Sequence, residues 1–398
     1  FSVFGNSLEL ISNIGMSNDG DDVALISPLG EIVDAIVYDK SWYRNTSKDD
    51  GGYSLERINP SAPCEGADNW RVTADDAGGT PGQANSILDN VADTDLPDVL
   101  FSFPDDATTL VVDFTEALDA TTAADISNYS IDNGVNIIAA TANATLFNTV
   151  TLTLDAATPI QPAIVYTLTI ASSLNDCVGN AFGMNNTTQF GLPETIEEGD
   201  VVINELLFDP ATGGSDFLEL YNNSNKVINI GEMNIVNDSD GASERIQKNY
   251  LLFPQSYVVI TEDKSFVEDT YNAPNPELIF RNPLPNFASE GNVTIFIPGV
   301  QVDKFDYNAD YHFDLLDETK GVSLERIDPD SPTNFFSNWH SASENVGFAT
   351  PTYLNSQFVT NPNAGTETFT LVEDTFSPDN DGYKDFLRLD YEIETSGY

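Results

Sequence analysis

Positive charge is what this sequence has least of: 15 Lys plus Arg stand against 64 Asp plus Glu in 398 residues, a formal net charge of −49. Nucleic-acid affinity comes mainly from Lys and Arg contacts that release counterions, and a surface this negative repels phosphates and anionic lipid headgroups alike. Nucleic acid and acidic membrane are therefore excluded as partner classes. Histidine and cysteine are almost as scarce. Two His (His312 and His340) and two Cys (Cys64 and Cys177) cannot furnish a His-rich transition-metal site or a cysteine framework, so zinc and haem chemistry drop out. No apolar run approaches the roughly 18 residues of a membrane span, and no direct span is expected. Phe1 is neither an initiator Met nor the start of a basic-then-apolar signal segment, so the chain reads as a processed or partial product. Catalytic motifs are missing too. Gly-x-Ser-x-Gly, Walker-type loops and His-Glu-x-x-His do not occur, and neither His sits in a motif. Paired carboxylates could serve glycoside hydrolysis, but with 64 acids any chosen pair is uninformative.

What is present is core material and strand text. With 40% hydrophobic and 11% aromatic residues the chain escapes the low-hydrophobicity signature of disorder. At about 100–200 residues per domain its length implies two to four domains. Apolar residues alternate in short segments such as Thr149-Val150-Thr151-Leu152-Thr153-Leu154 and Val165-Tyr166-Thr167-Leu168-Thr169-Ile170, with Gly, Asn, Asp and Pro between them. Period two with turn punctuation predicts an all-β protein of tandem immunoglobulin-like β-sandwich domains. The best helical stretch, Thr121 to Tyr129, supports one or two turns.

The most informative feature is an internal repeat. Gly52-Tyr53-Ser54-Leu55-Glu56-Arg57-Ile58-Asn59-Pro60 returns as Gly321-Val322-Ser323-Leu324-Glu325-Arg326-Ile327-Asp328-Pro329. Asn69-Trp70 then answers Asn338-Trp339, and Thr80-Pro81 answers Thr350-Pro351. Upstream, Val33-Asp34, Ile36 and Tyr38 answer Val302-Asp303, Phe305 and Tyr307. The second copy has a lead-in from Val201-Val202-Ile203-Asn204-Glu205 for which the first has no room, so the first copy starts mid-domain. A sandwich without its opening strands exposes unpaired edges and half a core; either the chain is cropped there or another polypeptide supplies the strands. Acidic or Pro-containing linkers at 89–98, 193–200 and 359–366 divide the chain into units at 1–88, 96–191, 201–357 and 367–398.

Residues 201–357 resemble the bacterial lamin-tail domain, an immunoglobulin-like sandwich of secreted Bacteroidota proteins. Ile203-Asn204-Glu205 and Asp216-Phe217-Leu218-Glu219-Leu220-Tyr221-Asn222 match its opening, and Ser323-Leu324-Glu325-Arg326, Asn338-Trp339 and Thr350-Pro351 its closing half. Residues 1–88 resemble that closing half alone. Residues 96–191 resemble the bacterial Ig-like modules of surface-layer and surface-anchored proteins, through Phe114-Thr115-Glu116-Ala117-Leu118-Asp119, Asn128-Tyr129-Ser130, Tyr166-Thr167-Leu168-Thr169-Ile170 and Asp176-Cys177-Val178-Gly179-Asn180. Residues 376–385 are similar to the opening of the C-terminal Ig-like domains that address Bacteroidota proteins to type IX secretion. None of these resemblances implies a catalytic centre.

Several constellations are candidate sites. Asp379, Asp381 and Asp385 have the D-x-D-G-x-x-D spacing that lets alternate carboxylates converge on calcium, or they form an Asx-rich turn. The cluster Asn18-Asp19-Gly20-Asp21-Asp22 is weaker, being ordinary hairpin-turn text. Cys64 and Cys177 could pair across two units if their Cα atoms lie about 4.4–6.8 Å apart. In Glu56-Arg57 and Glu325-Arg326, neighbours on a strand point to opposite faces; one member is expected to cap or pair across the sandwich and the other to face solvent. Trp70 and Trp339 read as core or corner anchors. The functional expectation is a non-enzymatic exported protein of the cell surface, structural, adhesive or docking, with protein or glycan partners at the outer membrane and calcium as the one conceivable cofactor. Two alternatives stand beside it: accessory domains of a larger secreted hydrolase, or a cargo or subunit of an outer-membrane secretion complex.

Overall fold

The protein is all-β, in mostly antiparallel sheets with a few short helices. In the computed structural model, the described residues are 15–359 except 30, 31, 46, 90, 144, 145 and 240, together with the strand backbone of 368–371 and 389–392. Elements are numbered in chain order. The first region holds β1 (Gly20–Ile26), β2 (Ile32–Asp39), β3 (Leu55–Arg57) and β4 (Trp70–Val72). Next come β5 (Val99–Asp106), β6 (Thr109–Phe114), β7 (Tyr129–Ile131), β8 (Ile137–Ala142), β9 (Thr149–Leu154), β10 (Tyr166–Ile170) and β11 (Thr187–Phe190). The third region runs through β12 (Val201–Leu207), β13 (Phe217–Asn222), β14 (Ile228–Asn229), β15 (Asn234–Asn237), β16 (Ala242–Arg245), β17 (Leu251–Leu252), β18 (Tyr257–Thr261), β19 (Ile279–Arg281), β20 (Glu290–Ile297), β21 (Val300–Asn308), β22 (Leu324–Arg326) and β23 (Trp339–Ser341). In the last, β24 (Thr368–Leu371) pairs antiparallel with β25 (Leu389–Glu392).

Contacts divide the chain into two compact units, one of 1–197 with 224–232 and 246–256, the other of the remainder. In the first, sheets β5-β6-β9-β8 and β11-β10-β7 enclose a core that follows the period-two text: Leu110, Val112, Phe114, Val150, Leu152, Leu154, Tyr166, Leu168 and Ile170 are all buried. Val227, just before β14, and Leu251 of β17 complete this core. The helical expectation at Thr121 to Tyr129 corresponds to a four-residue α1 (Ala120–Ala123), capped by Asp119, and a 3-10 turn (Ile126–Asn128). The β1–β2 hairpin differs in kind. None of its described side chains is buried, and Leu25, Ile26 and Val37 are exposed.

In the second unit a six-stranded sheet, β19-β18-β13-β12-β22-β23, accompanies a four-stranded one, β16-β15-β20-β21. β12 lies between β13 and β22 and is buried at every residue, as a central strand covered on both faces must be. On the other sheet Val293, Ile295, Val302 and Phe305 are buried. Phe305 stacks on Trp339 with ring centroids 3.8 Å apart, so Trp339 is the core anchor its sequence position suggested. A seven-residue helix α2 (Lys264–Thr270) starts where the Asp263 carboxylate accepts from Phe266 N at 3.1 Å; sequence periodicity did not reveal it because two turns are too short to show a stripe.

Candidate functional site

The repeated Ser-Leu-Glu-Arg segment lies at the centre of a buried polar network in the second unit. Antiparallel register sets Glu205 of β12 opposite Glu219 of β13 on one side and Glu325 of β22 on the other. Cross-strand neighbours stand about 4.5–5.5 Å apart, so three glutamates form a row, and all three are 0% exposed. The segment 348–357 closes over them. Thr350 N donates to Glu205 Oε1 at 2.8 Å, Thr352 N to Glu219 Oε2 at 2.6 Å, and Gln357 N to Glu325 Oε2 at 2.8 Å. Ser323 Oγ also donates to Glu205, Asn204 Nδ2 to Glu219, and Ser356 Oγ to Glu325. Every carboxylate oxygen in the row thus has a hydrogen-bond partner within the chain itself.

Burial and then the Glu325 charge push Glu205 up to about 8. Burial and the Glu205 charge raise Glu219, and burial raises Glu325. Thr350 Oγ1 lies 2.8 Å from Glu325 Oε1 and 3.4 Å from Glu205 Oε2. A hydroxyl has one proton to give; it serves the shorter contact, and a protonated Glu205 can donate back along the longer one. This row can hold a segment in place. It presents no carboxylate oxygen to a substrate.

Arg326 points to the opposite face, as strand geometry requires, but it does not reach solvent. It is 1% exposed, which corrects the expectation that one member of the pair faces water. Its Nε donates to Ile203 O at 2.7 Å, Nη1 to Ser331 O at 3.1 Å and Nη2 to Asp303 Oδ2 at 3.0 Å, and its guanidinium lies 5.4 Å from the Trp339 ring centroid. A buried cation persists only when paired and hydrogen-bonded; Arg326 is paired with Asp303 and donates from all three of its nitrogens.

The first copy repeats most of these bonds. Glu56 Oε2 accepts from Ser86 Oγ at 2.7 Å, as Glu325 does from Ser356, and Thr80 Oγ1 donates to Glu56 as Thr350 does to Glu325. Arg57 Nη2 lies 3.0 Å from Asp34 and its guanidinium 5.1 Å from the Trp70 centroid. Asn85 Nδ2 reaches Arg57 O at 2.8 Å, and Asn355 Nδ2 reaches Arg326 O at 2.8 Å. The copies diverge where β12 would pass. Among the described residues β3 has β4 as its strand neighbour, and Ser54 Oγ, the counterpart of the Ser323 hydroxyl that donates to Glu205, is buried with no partner. Glu56 is less deeply buried than Glu325, and the balance changes sign: burial pushes it up, but hydrogen bonds from Thr80, Ser86 and Thr73 together hold it below the usual carboxylate range. The closing segment also differs. Left-handed Gly78 and Gly82 (φ 87 and 76) become Phe348 and Thr352 (φ 71 and 74). A Cβ at Gly78 would lie 2.1 Å from Gly52 O, so no side chain fits there.

The remaining sequence candidates are placed as follows. Cys64 and Cys177 are disulfide-bonded, with Cα atoms 5.7 Å apart. At Asn18 to Asp22 the Asp21 carboxylate accepts from Ser17 N and Asp22 N, in the turn that opens β1. Asp379, Asp381 and Asp385 lie outside the described residues. His312 is 6% exposed with Nδ1 2.9 Å from Ser341 Oγ, and burial pushes it down to about 4. In the sequence Glu205 and Glu219 belong to a family-like pattern without an assigned role; the signal for one is a glutamate at an inward position of an otherwise apolar strand.

Residues 194–309 match the family model of the Lamin Tail Domain, an Ig-like fold. No curated protein matches the chain. Among solved structures the chain is similar to the N-terminal part of the bacterial S-layer protein SbsC at 17% identity and a TM-score of 0.23, over 52% of this chain and 43% of that one. It therefore spans less than half of that protein's length. A DUF4876 family protein from Bacteroides thetaiotaomicron is 13% identical with a TM-score of 0.22, over 58% of this chain and 90% of that one. Dimeric latent PorU from Porphyromonas gingivalis is 12% identical with a TM-score of 0.19, over 71% of this chain and 27% of that one. Among the described residues no helix is long and apolar enough to cross a membrane.

Proposed function

We propose that this chain is a non-enzymatic protein of the cell surface, exported across the outer membrane, whose β modules have a structural, adhesive or docking role toward protein or glycan partners. In this reading 1–88 and 201–357 are lamin-tail-like modules, 96–191 is a bacterial Ig-like module, and 367–398 begins a secretion-sorting module with a calcium loop at Asp379, Asp381 and Asp385. The observation that carries the reading is the glutamate row. Buried carboxylates with raised pKa are where catalysis is sought first, and here each oxygen is held by the chain's own Ser, Thr and Asn side chains and backbone amides. The Cys64–Cys177 bridge supports export, because disulfides persist in oxidising compartments. Protease added to intact cells tests it: cleavage of this chain without lysis is expected, and protection until the cells are broken would overturn the reading.

Docking by strand addition is favoured by the first copy. A groove of ≈ 510 Å³ runs beside Ser54, Leu55 and Glu56, and the orphaned Ser54 hydroxyl asks for an acceptor such as Glu205 provides in the second copy. The occupant is an extended strand carrying an Asn-Glu pair, as Val201–Leu207 does. A synthetic peptide of residues 199–209 should bind the full chain and lose affinity when its Glu205 is replaced by Gln; absence of binding would remove this reading.

A further inference from the structure

A second group of acids, unrelated to the glutamate row, gathers in the first unit beside the disulfide. Glu116 lies two residues beyond the end of β6, and its neighbour Ala117 fixes it in place: Ala117 N donates to Cys64 O at 3.2 Å, while Ala117 O accepts from Cys177 N at 3.0 Å. Asp176 precedes the second cysteine and is 0% exposed. Its Oδ1 accepts from Val178 N, Gly179 N and Asn180 N, and its Oδ2 from Asn180 Nδ2 at 2.8 Å. Asp93 arrives on the segment before β5, which Asn180 holds through Asp95 O at 3.1 Å. One carboxylate oxygen from each of Asp93, Glu116 and Asp176 lies within 4.8 Å of the other two.

Hydrogen bonding within the chain leaves this group incomplete. Glu116 is 5% exposed, yet among the described residues its buried Oε2 has no partner, and neither has Asp93 Oδ2. Orphaned buried carboxylate oxygens are rare and costly. Among the described residues no Lys or Arg pairs with Glu65, Asp93, Asp95, Glu116 or Asp176. What the cluster lacks is a positive charge that accepts several oxygens at once.

We propose that Asp93, Glu116 and Asp176 bind a calcium ion next to the Cys64–Cys177 bridge. The donor set is hard oxygen. The Cys64 sulfur lies within the same 4.8 Å but is bonded to Cys177 and is no thiolate ligand. Calcium takes about 6–8 oxygens in a flexible shell that accommodates several carboxylates, whereas magnesium keeps several waters and is usually held by one or two carboxylates. Three converging carboxylates suit calcium. Cys64, Glu65 and Glu116 also line a cavity of ≈ 360 Å³, giving the ion a route in and water to complete its shell. Bound there, it joins the 89–98 segment to the Ig-like sandwich at the point the disulfide already staples.

Calorimetric titration of CaCl2 into the oxidised full-length chain, stripped with chelator and dialysed, tests this. Asp379→Asn/Asp381→Asn serves as the background that silences the tail motif. A binding event should remain in that background, and adding Glu116→Gln or Asp93→Asn should weaken it at least tenfold, whereas MgCl2 should not reproduce it. Both substitutions remove charge from a crowded acidic group, so neither endangers folding. No calcium-dependent heat up to about 10 mM, tenfold beyond the weakest extracellular calcium modules, or unchanged binding in both variants, would overturn the proposal.

Discussion

Two arginines in equivalent sequence contexts have different surroundings, and their energetics should separate accordingly. Arg326 is 1% exposed with Asp303 at 10%, whereas Arg57 and Asp34 are 22% and 49% exposed. Removing one partner of a buried, hydrogen-bonded pair costs about 3–5 kcal/mol, while exposed pairs contribute about 0–1 kcal/mol. Denaturant titration should therefore show Arg326→Ala destabilising its unit by about 3–5 kcal/mol and Arg57→Ala by less than about 1 kcal/mol; equal effects would mean that burial does not separate the two sites. That contrast was not legible in the sequence, which reads Leu-Glu-Arg in both places. The partners of Arg326 include Ile203 O, contributed by a strand far upstream. The pairing of Cys64 with Cys177 could be named as an option but not decided, because Cα separation is a property of the fold.

At the scale of elements, the strands were the most readable part of the chain, since β9 and β10 alternate inward and outward at period two. The glutamate row was less so, because register across β13, β12 and β22 brings together three residues separated in sequence. Its pH behaviour has a definite sign. Glu205 is pushed up to about 8 by burial and the Glu325 charge, and Asp216 up to about 7 by burial. A carboxyl with a raised folded pKa contributes stability that is full below its unfolded value near 4 and is lost as pH rises through the folded value. His312, pushed down to about 4 by burial, acts at the other end: its contribution is full above about 6.5 and lost as pH falls through 4. Several carboxyls lose stability from about pH 4 upward against one His that gains it, so the second unit should melt highest near about pH 4–5 and weaken as pH rises to about 8. A melting temperature that climbs from pH 6 to pH 9 would contradict the protonated row.

On the scale of the whole molecule, one covalent staple constrains the chain over a long range. The Cys64–Cys177 bridge closes a loop with a sequence separation of 113, for which loop entropy gives roughly 4–5 kcal/mol and measured losses run about 2–5 kcal/mol. Cys64→Ser/Cys177→Ser should lower the stability of the first unit by that amount, with the second unit's transition unmoved; coincident shifts in both would show the bridge acting beyond its own unit. In the proposed reading the buried carboxylates are structural fasteners rather than reactive groups. Polar residues built for chemistry usually carry a stability cost, so their removal is neutral or stabilising. The most direct test is equilibrium unfolding of Glu325→Ala beside wild type. Losing the acceptor for Thr350 Oγ1, Ser356 Oγ and Gln357 N should cost about 3–5 kcal/mol, since each buried group left unsatisfied costs about 1–3 kcal/mol. A variant as stable as wild type, or more stable, would contradict the central claim.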